Sequence, residues 1–412
     1  MDNLTHSLAG LLLAEAALIF GREPGTAPPR GVRWAACAAS IAANNFPDLD
    51  FAYTSLTSPR ALGYLLHHRG HTHTLPIALL LGGVTLAITL AALHWRRVGL
   101  TAGDRRRLIA LCALGPLIHV AMDFTNNYGV HPFWPAYDGW FYGDSVFIVE
   151  PWLWVAMLPP LVFSARSRVG RATLIAIGVA GLALSWAVSL LPWGAALALT
   201  AGAALASFSC WKLSPRARVT QGLVAYAAAT LVFATASRVA EAAVEDAMAR
   251  ARPGATLLDV VVTPAPANPL CSSAIAIATE GDRYSLTKAA VATWPGVLSA
   301  AHCRLESSTP TAPLATVRSA AEPSVAWKGE WSGSRAALTR LARENCEIDA
   351  LLRFARAPYW VARDDGWIAG DLRYDRSPEI DFADLRTSSR PERCPQWVPP
   401  WKPPRSDLLG AP

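Results

Sequence analysis

At 412 residues the chain has room for two domains. Hydrophobic residues make up 52% and charged residues 17%, a balance too apolar for an average soluble protein and one that points to membrane spans. The net charge of +6 is no nucleic-acid signature, since residues 1–237 carry the long apolar runs and the remainder has mixed charge; no nucleic-acid partner is expected.

The chain opens MDNLTHS, with an acid, no basic leader region and no clear cleavage site after its apolar run, so it reads as a retained first span. Eight apolar segments follow one another at 4–20, 34–50, 74–93, 108–125, 146–163, 172–190, 194–211 and 219–237. Assigned alternately to two sides, the loops divide fourteen basic residues, from Arg22 to Arg218, against only Arg60 and Arg69. The positive-inside rule makes the first set cytoplasmic, so the N-terminus and residues 238–412 fall on the outer side of a bacterial inner membrane.

Four segments of that outer side carry His and Asp at helix ends: His6 in THSLAG, Asp48 and Asp50 in FPDLD, the run HHRGHTHT from His67 to Thr74, and His119 with Asp123 in HVAMD. Ionisable groups at a bilayer edge are costly unless partnered, and these types are ligands for divalent metals. His119 and Asp123, four apart, share one helix face. Alone, that pair could equally be a hydrogen-bonded couple, and Asp48 and Asp50 could be caps of a turn. Together they form a candidate metal site of His6, Asp48, Asp50, His68, His73, His119 and Asp123. His67 and His71 rank below these. The surplus of donors suits one or two divalent ions, Zn²⁺ first and Mn²⁺ or Mg²⁺ as alternatives. Asp50, Asp123 and Arg69 are the catalytic candidates: a carboxylate to take a proton from water, and a guanidinium to meet a phosphoryl oxygen. Arg69 has two other readings, a headgroup contact or a pair with one of the aspartates.

The loop TNNYGVHPFWPAYDGWFYGDS supplies aromatics that suit a membrane interface or a lipid groove, with His131, Asp138 and Asp144 as reserve ligands. Glu15, Asn44 and Asn45 are unusual inside spans; joined to the cluster they would favour ion transport over hydrolysis.

The order THSLAG, PDLD, HRGHTH and HVAMD resembles the YdjM/YfhP-like family of bacterial inner-membrane proteins. The matching positions are Thr5-His6, Pro47 to Asp50, His68 to His73, and His119 with Asp123; Thr74 stands where the family pattern has Ser, and Glu150 where it would have Asp. The likeness extends through Thr125, Tyr128, Gly129, PAPANP at 264–269, RFARAPYWVARDDGW at 353–367 and GDLRY at 370–374. It implies a metal-dependent hydrolase.

Residues 238–375 read as a small exported α+β domain, with a helix over 238–250, short strands, a hairpin at Asp364-Asp365-Gly366, and a helix over 338–354. Residues 376–412 read as a Pro- and charge-rich, poorly ordered tail. Cys271, Cys303, Cys346 and Cys394 allow three disulfide pairings. The whole is a polytopic α-helical membrane protein of about eight spans with a C-terminal exported domain. The expected activity is hydrolysis of a phosphoester or ester, the substrate being a lipid or lipid-like molecule of the outer leaflet. The alternatives are an ion or metal transporter, and a metal-stapled scaffold whose exported domain binds a protein partner.

Overall fold

The computed structural model describes residues 1–21, 28–188, 191–303, 311–317, 322–376 and 380–410. The N-terminal region is a helical bundle: α1 (Asn3–Phe20), α2 (Arg30–Ala43), the short α3 (Arg60–His67), α4 (Leu75–Trp95), α5 (Ala102–Phe124), α6 (Pro151–Ser164), α7 (Arg168–Ala187), α8 (Trp193–Lys212) and α9 (Pro215–Ala251). Side-chain caps start most of them. Asp2 accepts from the Thr5 amide, Thr74 from Ile77, and Thr101 forms a capping box with Asp104.

Among the described residues, α1, α4, α5, α7, α8 and α9 are long and apolar enough to cross a membrane. The expected second and fifth spans are shorter, 14 residues each in α2 and α6. At the end of α2, Asn44 and Asn45 turn their amides back onto the Ser40 and Ile41 carbonyls, and Pro47 then opens a 3₁₀ turn over Phe46–Ala52. The fifth span begins late because Pro151 is the first helical residue and Glu150 its cap. Small residues bring the helices close. A Cβ on Gly10 would stand 2.8 Å from the Ser40 carbonyl oxygen of α2, and one on Gly82 of α4 would stand 2.2 Å from that of Cys112 on α5. Arg22, counted above among the basic loop residues, lies outside the described residues.

The boundary expected at 237 falls inside α9, which runs unbroken for 37 residues because its Ala-rich sequence offers no stop there. Its last turns leave the bundle, and Ala240, Val244, Ala247 and Met248 pack under an antiparallel sheet. That sheet has the order β1 (Thr256–Ala265), β2 (Asn268–Glu280), β3 (Arg283–Ala292), β4 (Val325–Ser334). Next come α10 (Arg335–Glu344) and α11 (Cys346–Leu352), two helices where one was expected, broken at Asn345, which caps the second. A second sheet, β5 (Pro358–Arg363), β6 (Gly366–Asp371) and β7 (Asp384–Ser388), contains the expected hairpin. Cys271 pairs with Cys303 and Cys346 with Cys394.

The segment expected as a disordered tail is built in. It contributes β7 and Cys394, and Trp401 is fully buried, donating from its indole to the Leu66 carbonyl at 2.8 Å. The two regions share one apolar core, in which Leu62, Leu65 and Leu66 of α3 and Tyr128 and Trp140 of the following loop pack with Trp331, Phe354 and Trp401. The β-rich domain therefore sits directly on one end of the bundle. That end holds the start of α1, the residues after α2 and before α4, and the end of α5.

Candidate metal centre

These four chain ends converge. His6 lies in the first turn of α1, Asp48 and Asp50 in the 3₁₀ turn after α2, His73 just before α4, and His119 and Asp123 in the last two turns of α5. One ligand atom each of Asp48, His73, His119 and Asp123 lie within 4.8 Å of one another, and all four residues are buried. His119 Nε2 is 3.0 Å from His73 Nε2 and 3.5 Å from Asp48 Oδ1, and His73 Nε2 is 3.1 Å from Asp123 Oδ2.

The hydrogen bonds behind these atoms fix what they offer. His119 Nδ1 donates to the Asn44 carbonyl at 2.7 Å, and His73 Nδ1 faces Asp50 Oδ2 at 3.4 Å. These contacts suit the tautomer with its proton on Nδ1, which turns an Nε2 lone pair of each ring toward the other. In that form two imidazole lone pairs and two carboxylate oxygens face one another, an arrangement that a cation among the four would relieve. Among the side chains here, three buried carboxylates also face a single guanidinium, so a divalent ion fits the charge as well as the donors. The Met1 amine also touches Asp123.

The remaining candidates fall around this group. His6 points its Nε2 at the other oxygen of Asp123, 3.2 Å away, and stacks on His119 with ring centres 3.8 Å apart. Asp50 is an organiser rather than a free base: it accepts from the Arg69 amide at 2.8 Å and the Thr72 hydroxyl at 3.2 Å, besides facing His73 and, at 3.1 Å, His68 Nδ1. Asp48, Asp50 and His68 form a second three-donor group that shares Asp48 with the first. Asp48 and His68, each 8% exposed, mark the edge of the centre, whereas His6, Asp50, His73, His119 and Asp123 are sealed.

Arg69 does not face outward to receive a substrate. Its Nε is 3.0 Å from Asp123 Oδ2, its Nη1 donates to Asn126 Oδ1 at 2.6 Å, and its guanidinium lies over the Tyr128 ring. Its backbone is in the left-handed region, φ 58°, a strain of about 1–3 kcal/mol that the Asp50 bond to its amide holds in place. Because Arg69 orients a ligand carboxylate, Arg69→Ala is expected to weaken metal retention by roughly 10- to 100-fold, measured by competition with a chromophoric chelator. Retention equal to wild type would show that Asp123 needs no such support.

The reserve ligands lie elsewhere. Asp144 pairs with Arg356, and the Asp138 carbonyl accepts from the Lys402 amide. His131, which burial pushes down to about 3, is a neutral ring stacked on Trp401 with centres 3.9 Å apart. His67 bonds Thr57, and His71 packs on Trp134 and Trp401. Glu15 pairs with Arg33, which also donates to the Ser164 carbonyl, while Asn45 bonds Ser7. Asn3 donates to Asn45 Oδ1 at 3.4 Å and to Asp48 Oδ2 at 2.8 Å, so the asparagines adjoin the cluster while Glu15 pairs apart from it. The Asn44 carbonyl and Asn126 were missed by sequence reasoning; a backbone acceptor leaves no residue-type signal, though Asn126 sits three residues after Asp123.

A family model described as "YdjM inner membrane protein" matches residues 1–194, the stretch that holds every donor of this centre. Over residues 1–194 the chain is thus similar to the YdjM family. The chain is also similar to "Uncharacterized protein YfhP" of Bacillus subtilis (strain 168), 25% identical over 158 residues, 38% of this chain. The match covers 44% of that relative's length. No solved structure matches. The β-rich domain lies beyond the part matched by the YdjM model.

Proposed function

We propose that this chain is a membrane-bound, metal-dependent hydrolase of phosphoesters or esters, with its centre and its β-rich domain at the outer leaflet of the inner membrane. The observation that carries the reading is the convergence of two imidazole nitrogens and two carboxylate oxygens, all buried, within 4.8 Å of one another. Asp48, His73, His119 and Asp123 would hold the ion; Asp48, Asp50 and His68 offer room for a second. The imidazole–carboxylate mixture favours Zn²⁺, with Mn²⁺ or Mg²⁺ as alternatives. When bound, such an ion acidifies water and polarises a phosphoryl or carbonyl oxygen.

The chain's own residues do the rest. Asp50 holds the Nδ1 proton of His68, which leaves His68 Nε2, at the exposed edge, as an acceptor for a proton from water and a donor to a leaving group. Arg69 and His6 keep the two oxygens of Asp123 apart and oriented. The fourteen-to-two division of basic residues supports the orientation. The test is metal analysis of the detergent-purified chain, followed by a hydrolysis screen over phosphomonoesters, phosphodiesters and carboxylic esters with and without chelator. Chelator-sensitive turnover is expected. A metal-loaded protein inert toward all of them would favour the scaffold reading, in which the ion only staples the helices.

A further inference from the structure

The 3₁₀ turn that aims Asp48 and Asp50 inward aims the side chains between and beyond them outward: Leu49 is 52% and Phe51 47% exposed. Large apolar side chains standing free around the least sealed edge of a polar centre need an apolar partner. Phe51 stacks on His68 with ring centres 4.7 Å apart, so this apolar surface and the proposed proton-handling ring are in contact. It is also continuous with a bilayer-facing surface: the turn packs against α4, whose Leu79 and Leu80 are exposed on a helix apolar enough to span.

Helix lengths set the depth. The 14 residues of α2 rise about 21 Å, against roughly 30 Å of hydrocarbon, while the neighbouring α5, of 23 residues, rises about 35 Å. Arg30 and Arg33 hold the start of α2 at the opposite, basic boundary. The turn at its far end therefore lies within the leaflet rather than above it. His119, five residues before the end of α5, is sunk about 8 Å below that helix end.

We infer that the centre opens sideways into the bilayer between Leu49, Phe51 and His68, and takes as substrate a membrane lipid whose acyl chains stay in the leaflet while its ester or phosphoester group reaches Asp48. This rests on the hydrolase reading for the chemistry but not for the opening. Water-soluble esters would have no comparable apolar approach.

Two measurements test it on the full chain in phosphatidylethanolamine–phosphatidylglycerol vesicles. Nitroxide labels on Leu49→Cys and Phe51→Cys, in a Cys37→Ala background, are expected to relax more with molecular oxygen than with a water-soluble nickel chelate. A label on Asp365→Cys, exposed on the β5–β6 hairpin, should show the reverse. Nickel accessibility at Leu49 equal to that at Asp365 overturns the opening. In the second measurement, Leu49→Glu should cut turnover of vesicle phospholipid roughly tenfold or more, since a carboxylate in the leaflet is costly, and cut turnover of a short-chain soluble phosphodiester several-fold less. Equal effects on both substrates overturn the lipid assignment. Oxygen-relaxed labels without turnover of either substrate support the opening and refute the hydrolase reading instead.

Discussion

The His119→Ala/Asp123→Ala double variant is expected to purify with almost none of the divalent metal that the wild-type chain retains. Two of the four converging donors are gone, and the two left, Asp48 and His73, lose the partners that hold them 3 to 4 Å apart from a common point. Because even outer supports of a metal ligand are worth 10- to 100-fold in affinity, loss of two ligands should exceed roughly 100-fold. The deletion also removes a negative charge and one end of the Arg69 contact, so some destabilisation comes with it. Asn44 provides the control. Its contact to His119 is through the backbone carbonyl, so Asn44→Ala keeps that bond and should keep the metal. Elemental analysis of the three purified proteins after dialysis against trace Zn²⁺ decides the matter. Equal metal in wild type and double variant would remove the centre from these residues altogether.

The parts of this centre that were legible in the sequence are those fixed by helix periodicity. The spacing of His119 and Asp123 puts both on one face wherever the helix goes, and α5 keeps that geometry to its last turn. Asp48 and Asp50 were harder: two residues apart, they would share a face in a strand but not in a helix, and it is a 3₁₀ turn with its buried Pro47 that brings both inward. The role of Arg69 was open between substrate, headgroup and aspartate because its partner comes from α5 and from Asn126, over 50 residues away. Hydropathy merged the 14-residue α2 with the apolar turn after it, so a short helix read as a full span. The aromatic loop after α5 looked like an interfacial belt, yet Tyr128 and Trp140 are core, since partners such as Arg353 and Phe354 are encoded more than 200 residues later. Composition misled again at the C-terminus, where Pro-rich sequence surrounds the fully buried Trp401.

Arg356→Ala is expected to destabilise the contact between the two regions by about 3–5 kcal/mol, the cost of leaving buried charges without their partner. The guanidinium forms a fork with Asp259, through Nε and Nη2 at 2.8 and 3.0 Å, donates from Nη1 to both Asp144 oxygens at 2.8 and 2.9 Å, and lies 4.2 Å from the centre of the Tyr142 ring. Burial raises the Asp144 carboxyl and the Arg356 charge opposes that rise, so the deletion strands a largely buried acid without its cation. Asp144 closes the loop that begins at Asn126, and Arg373 grips the Asn127 carbonyl within the same loop while pairing with Asp371. The consequence reaches the centre, because Asn126 holds Arg69 and Arg69 holds Asp123. Arg356→Lys should fall between wild type and Ala, as one ammonium cannot reproduce the fork to Asp259 while also reaching Asp144. Hydrogen exchange in detergent should show faster exchange across 126–145 and β1 in Arg356→Ala, with α7 and α8 unchanged and metal retention reduced. Exchange confined to β1 would mean that the β-rich domain rides on the bundle without shaping its metal centre.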